Sequence, residues 1–205
     1  MFHVKHAPRE SFDPEIARRL DAFLALLLQW NRRINLIAGA DEGSVWHRHV
    51  LDSAQLAPLL PEKPGAFIDL GSGAGFPGLV LAVVAGWRVH LVESDARKAA
   101  FLREAVRVTG TDAVVHACRA ESLSISPAPV VTARGIAPLP RLLELAVPLL
   151  APGGICLFPK GRSAMDELTA AHREWHMRVE RFPSRTSPTA TLLRLCEIRR
   201  VQPTG

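Results

Sequence analysis

The sequence contains no tyrosine, only three cysteines and three methionines, and no asparagine beyond Asn31 and Asn35. Each shortage excludes something. Without tyrosine, the Tyr-x-x-x-Lys arrangement of short-chain dehydrogenases cannot form. Neither asparagine opens an Asn-Pro-Pro-aromatic motif, the grip by which exocyclic amines are held for methylation. No Pro-Cys pair occurs, which removes the cysteine nucleophile used at cytosine C5. Cys118, Cys156 and Cys196 are odd in number and scattered, the pattern of reduced thiols rather than of a disulfide framework. No metal-ligand spacing joins the Cys and His residues, so no metal is expected. The longest wholly apolar run, around Leu79 to Trp87, is far too short to span a bilayer. No secretory h-region follows Met1. These features predict a cytoplasmic protein with no membrane partner and no evident obligate protein partner.

What is present centres on Phe67-Ile-Asp69-Leu-Gly71-Ser-Gly73-Ala-Gly75-Phe76-Pro-Gly78. Ala66 to Leu70 is an apolar run that reads as a buried strand, and a helix opens after the glycines, over Phe76 to Ala85. Strand, glycine turn and helix start make a nucleotide-binding corner, where glycine lets a ligand approach the backbone. A dinucleotide site expects G-x-G-x-x-G. Here Asp69 stands two residues before the first glycine, in a D-x-G-x-G-x-G order. A carboxylate there suits a ligand with a cation and an amino group and repels a pyrophosphate, favouring S-adenosylmethionine over NAD. Alone, the motif fits a glycine-rich turn in any α/β protein equally well. The next strand, Arg88 to Glu93, ends in a carboxylate near the roughly 20-residue offset at which an acid meets ribose hydroxyls. Glu93 could be only a solvated strand end; the glycine loop upstream ranks the ribose role first.

Strands and helices alternate along the rest of the chain. Asp13-Pro14-Glu15 starts a helix with an apolar stripe from Ile16 to Ile34, ending near Gly39. A second helix spans about Ser44 to Leu59. Residues 1–12 read as a loose tail, 13–60 as an N-terminal helical cap, and 61–205 as the sheet domain. After Glu93 come a helix capped by Asp95, a strand Ala113 to Cys118, a strand Val130 to Ala133 and a helix Leu139 to Leu150. The turn Pro152-Gly153-Gly154, a strand Ile155 to Phe158, a helix Ser163 to Trp175 and strands His176 to Phe182 and Ala190 to Arg199 complete the chain. This order predicts an α/β doubly wound sheet, mostly parallel, with an antiparallel C-terminal edge hairpin. The net charge of +5 is concentrated after residue 159, which suits a phosphate-bearing partner.

These residues resemble the RsmG (GidB) family of bacterial 16S rRNA guanine-N7 methyltransferases. The matching pieces are Trp30-Asn31 with Asn35-Leu36, Arg48 to Ser53, Asp69 to Gly78, Arg97 to Arg103, Arg134, and Lys160-Gly161. They fall in the family's order over roughly residues 20 to 162. The resemblance implies a Rossmann-like class I S-adenosylmethionine-dependent methyltransferase fold, S-adenosylmethionine as cofactor, and 16S rRNA or the small ribosomal subunit as partner, with guanine 527 the family's target. It places Gly71, Phe76, Ala120, Glu121 and Arg134 at the cofactor, beside Asp69, Gly73, Gly75 and Glu93 from the loop reading. Glu93 stands where the family often has Asp, and Ala133-Arg134-Gly135 where it has Ser-Arg-Ala. Alternatives are a small-molecule or protein methyltransferase, or a non-catalytic S-adenosylmethionine- or RNA-binding module.

Arg134, Lys160 and His49 are candidate positioning residues at the reacting base. Lys160 and Arg162, with Arg32, Arg33 and Arg48, are candidate phosphate binders. A histidine such as His49 is more often a hydrogen-bonded structural residue than a catalyst, Trp30 on an apolar helix face reads as core before a base-stacking platform, and Asn31 with Asn35 can simply close the helix end. Guanine N7 carries a lone pair and no proton, so its methylation needs no general base. Met1 to His6 can be encoded by ATG TTT CAC GTG AAA CAT, which equals its own reverse complement and resembles a centromere-like DNA site. That hexapeptide is expected to be dictated by DNA rather than by protein function.

Overall fold

Alternation of apolar side chains sets the faces of a central strand. In β1 (Ala66–Leu70), Phe67 points to one side and Ile68 and Leu70 to the other, and all three are fully buried. A strand buried on both faces needs layers on both sides, and the computed structural model, which describes residues 9–38 and 41–201, has them. β1 lies in a seven-stranded sheet ordered β3-β2-β1-β4-β5-β7-β6. The other strands are β2 (Arg88–Val92), β3 (Ala113–His116), β4 (Ala128–Ala133), β5 (Leu150–Lys160), β6 (Trp175–Pro183) and β7 (Thr191–Arg200). β1 to β5 run parallel, and β7 and β6 close the sheet as an antiparallel hairpin. The strand order reverses between β1 and β4, which marks the ends of those two strands as the ligand edge.

On one face, α1 (Pro14–Asn31), α4 (Gly78–Ala85) and α5 (Ala96–Thr109) share a buried cluster with Phe67, Val89, Leu91 and Val130. On the other, α6 (Leu139–Ala146) and α7 (Ala164–Ala171) bury Leu143 and Leu168 against Ile68, Val131 and Phe158. Each fully buried Leu or Phe contributes about 1.5–3 kcal/mol relative to exposure. The helices before β1 thus belong to the same core as the sheet. Asp13 caps α1 through the Glu15 amide at 2.9 Å, as its Asp-Pro start predicts.

Four expectations need correction. α1 stops at Asn31, not near Gly39, because the Asn31 side chain replaces the next turn. Its Oδ1 accepts from the Leu36 and Ile37 amides at 2.8 and 3.0 Å, and its Nδ2 donates to the Ile37 carbonyl at 3.1 Å. The second helix is not continuous. It comprises α2 (Glu42–Val45), a π-helical segment Trp46–Leu51, α3 (Asp52–Ala54) and a 3₁₀ turn Ala57–Leu59. Pro152-Gly153-Gly154 does not precede β5 but lies inside it, where the register against β4 shifts and Gly153 takes φ 73°. Residues 9–12 are built into the fold: Arg9 pairs with Asp21 at 3.0 Å, and Phe12 packs edge-on to Trp46. Met1 to His6 lie outside the described residues.

Candidate active site

The glycine loop leaves β1 at the sheet's reversal point. Gly71 and Gly73 have φ of 64° and 54°, a left-handed backbone that other residues rarely adopt. Glu93, at the end of β2, accepts from the Gly73 amide at 2.9 Å and from the Asp95 amide at 2.8 Å. The carboxylate therefore ties the loop to the neighbouring strand. Above them lies a cavity of about 570 Å³, lined by Gly71, Gly73, Glu93, Ala120, Glu121 and Arg134 among others. Six of the predicted cofactor residues thus meet at one site, joined by Lys98 and by Leu36 and Ile136, which the sequence did not flag.

The other three stand behind the loop. Asp69 is fully buried. Its Oδ1 accepts from Thr132 Oγ1 at 2.7 Å, and its side chain packs so tightly on Gly78 that a Cβ there would lie 2.5 Å away. Burial raises its pKa to about 6, against the lowering effects of Thr132, Ser72, the Gly78 amide and Arg134. Asp69 holds the strand–helix corner together from within the core. Gly75 makes room for Phe23, whose ring would sit 3.2 Å from an added Cβ. Phe76 is buried between the rings of Phe23 and His49.

Arg134, at the end of β4, joins loop and cap. Its guanidinium lies 5.2 Å from the Phe76 ring centre, bonds Asp52 Oδ2 at 3.1 Å, and reaches His49 Nδ1 at 3.0 Å. Arginine can only donate, so Nδ1 is the acceptor and the His49 lone pair is occupied. Burial, with Arg134 and Arg48 nearby, lowers the His49 pKa to about 4, so the ring is neutral at physiological pH. The π-helical segment aims His49 at this cluster, and a π-turn leaves no signature in apolar periodicity. Asp52 in turn accepts at Oδ1 from Gln55 at 2.8 Å and from Thr186 at 2.6 Å. Gln55 also takes the Arg185 amide at 2.9 Å, so the β6–β7 loop is fastened to the cap. Asp52, Gln55 and Thr186 were not predicted as site residues; an acid inside an Arg-His-x-x-Asp run was the available hint.

Lys160 needs correction as a phosphate binder. Its side chain is 8% exposed, and Nζ bonds Glu167 at 2.8 Å and the Ala137 carbonyl at 2.9 Å. Burial pushes the Glu167 pKa up, but Lys160, Ser163 and the Leu139 amide outweigh it and leave the carboxylate charged. Glu121 pairs with Arg141 at 2.6 Å on the surface. Arg32, Arg33, Arg48 and Arg162 are exposed, as phosphate binders must be. Arg33 and the half-buried Trp30 line a separate small recess with Arg97. No group of three or more metal-ligating side chains occurs among the described residues. A larger cleft, about 1110 Å³, opens where β5 starts and β7 ends, away from the ligand edge.

The cavity suits S-adenosylmethionine. Its volume lies in the range of small-molecule sites, its floor is open backbone at Gly73, and acids and bases both border it. Among solved structures, the chain resembles M. jannaschii TYW2 in complex with AdoMet (TM-score 0.58, 12% identity, covering 75% of this chain and 76% of that one). It also resembles the Bacillus cereus O-methyltransferase in complex with SAH (0.57, 14%, 86% and 91%). These likenesses show the fold, that of class I methyltransferases. By sequence it is 60% identical over 190 residues to the ribosomal RNA small subunit methyltransferase G of Rhodospirillum centenum, covering 93% of this chain and 86% of the relative. It is 54% identical over 187 residues to that of Granulibacter bethesdensis, covering 91% and 88%. Residues 16–190 match the GidB family, described as rRNA small subunit methyltransferase G, and the chain belongs to that family.

Proposed function

We propose that this chain methylates N7 of one guanine in 16S rRNA of the small ribosomal subunit, the guanine being the 527 position of the family resemblance. S-adenosylmethionine is the methyl donor. Bound in the cavity beside Gly71, Gly73 and Glu93, it supplies an electrophilic methyl group on a sulfonium centre, and the chemistry is largely its own. The chain's task is to hold the base in line and exclude other orientations, where positioning contributes several kcal/mol.

The observation that carries this reading is the state of the side chains at the junction. His49 has its lone pair on Arg134, and Asp52 is taken by Arg134, Gln55 and Thr186. Glu93 is taken by two amides, and Asp69 is sealed in the core. Each of these contacts holds geometry, and His49, whose lone pair lies on Arg134, is not placed to take a proton from a substrate. A nucleophile that carries no proton, such as guanine N7, suits that arrangement. Arg48 and Arg162, exposed near the cluster and after β5, would meet RNA phosphates, with Arg32 and Arg33 beyond α1.

The test is methyl transfer from labelled S-adenosylmethionine to small subunits and to naked 16S rRNA from cells lacking the gene, followed by mapping of the product. A single N7-methylguanine supports the reading. Label on protein, on a small molecule or on an exocyclic amine overturns it. Binding of the RNA should also weaken steeply with salt as phosphate counterions are released.

A further inference from the structure

A second cavity, about 440 Å³, shares the Arg134-Gly135-Ile136 stretch with the cofactor cavity. Lys160 and Glu167 lie in its wall as a buried ion pair, their side chains 8% and 19% exposed. An ammonium has three donors, and two are used, on Glu167 Oε2 at 2.8 Å and the Ala137 carbonyl at 2.9 Å. A carboxylate offers about four acceptor positions. Three are used, by Lys160, by the Leu139 amide at 2.8 Å and by Ser163 Oγ at 2.6 Å. One donor of Lys160 and one acceptor position on Glu167 Oε1 are therefore left over, in two residues that line a cavity adjoining the cofactor cavity.

With N7 lying on the Lys160 side of the base, that pair matches guanine; adenine can meet it on its Watson–Crick edge only turned over, which carries its N7 to the Glu167 side. Guanine presents O6, an acceptor, beside N1–H, a donor. Adenine presents an amino donor beside an N1 acceptor, the reverse. We propose that Lys160 and Glu167 form the specificity site for the target base, with Lys160 donating to O6 and Glu167 accepting from N1–H. Reading that edge leaves N7 uncovered, as the reaction requires. The inference rests on the guanine-N7 reading above and adds the residues that select the base. A wrong edge would leave buried charged groups unpaired, which is how polar sites discriminate strongly.

The test uses small subunits reconstituted on splint-ligated 16S rRNA with guanine, inosine or 2-aminopurine at the target position. Inosine keeps O6 and N1–H; 2-aminopurine lacks both but keeps N7. Single-turnover rates are measured for the wild type and for the double variant Lys160→Met/Glu167→Met, which removes both charges together. Its own guanine to 2-aminopurine ratio supplies the baseline for intrinsic N7 reactivity. The wild-type ratio should exceed that baseline at least about tenfold, while inosine stays within about threefold of guanine. A purely structural role would slow all three substrates in proportion, and a double-variant ratio within threefold of wild type overturns the inference. Thermal melting and S-adenosylmethionine affinity check that the double variant is folded. If it is not, Glu167→Gln is read by the same ratio, with the same fall expected and the same unchanged value overturning the idea. Absence of any wild-type transfer to guanine would instead sink the functional reading, and this inference with it.

Discussion

On one side of Arg134 the site is built around one backbone loop; on the other it is a lattice of side chains from distant segments. The cofactor side is local. Gly71 and Gly73 adopt a backbone that glycine permits, and the Glu93 carboxylate catches the loop across one strand spacing. The cap side is assembled by long-range pairs: Arg134 with Asp52, Asp52 with Thr186, Gln55 with the Arg185 amide. A local site depends on conformation and should fail abruptly when a dihedral is denied. A lattice depends on many polar contacts and should fail by degrees.

The largest effect is expected at Gly73. Gly73→Val forces a β-branched residue into φ 54° and should lower S-adenosylmethionine affinity at least about a hundredfold, with the thermal midpoint lowered by several degrees but unfolding still cooperative. Isothermal titration reads it, and an unchanged affinity would remove the loop from the cofactor site. Next is Asp52→Ala, which frees Arg134 from its carboxylate. One charge-assisted bond of about 1.5–3 kcal/mol predicts a ten- to hundredfold fall in kcat/KM. Thr186→Val, one contact further out, should cost only a few-fold; a loss as large as that of Asp52→Ala would mean the lattice fails as a block.

His49→Gln should keep kcat within about threefold, without the acid limb of a titrating base, because the His49 lone pair is already used. A steep limb near neutrality that vanishes in the variant would make His49 a base after all. The same substitution separates two opposing pH effects on stability. His49 has a native pKa near 4, so between about 6.5 and 4 the unfolded chain binds the extra proton and stability falls as pH falls. Asp69, with a native pKa near 6, does the reverse between about 6 and 3.8. Urea unfolding at pH 7 and pH 5 should therefore show His49→Gln losing less stability on acidification than the wild type. The smallest effect belongs to Asn31→Leu, about 1 kcal/mol from the lost helix-end bonds, with S-adenosylmethionine affinity unchanged.

The same contrast explains what could be read without coordinates. The alternation of strands and helices, the glycine corner and the Asp13 and Asp95 caps are written in neighbouring residues, and all appear where expected. The end of α1 was misplaced because one asparagine substitutes for backbone bonds that periodicity assumes. Phe76 and Gly75 carried loop-like spacing but serve the core, since a motif does not say which side of its turn faces the ligand. Lys160 showed a cation at a strand end, while its partner Glu167 comes from the first turn of a helix whose packing only the fold reveals. The Asp52–Thr186 contact spans most of the chain, and no window of sequence contains both ends.

The π-helical segment Trp46–Leu51 carries one residue more than the same stretch of α-helix would need. Chain length there is thus a structural variable in its own right. Removing a single residue would let the segment rewind as ordinary helix, keeping its backbone bonds and much of its buried face. Everything beyond would turn by about 100° relative to what precedes it. His49 and Asp52 would then no longer both meet Arg134, although each side chain was still present. In this part of the molecule a deletion is a sharper instrument than any substitution, because it alters the phase between residues rather than their chemistry.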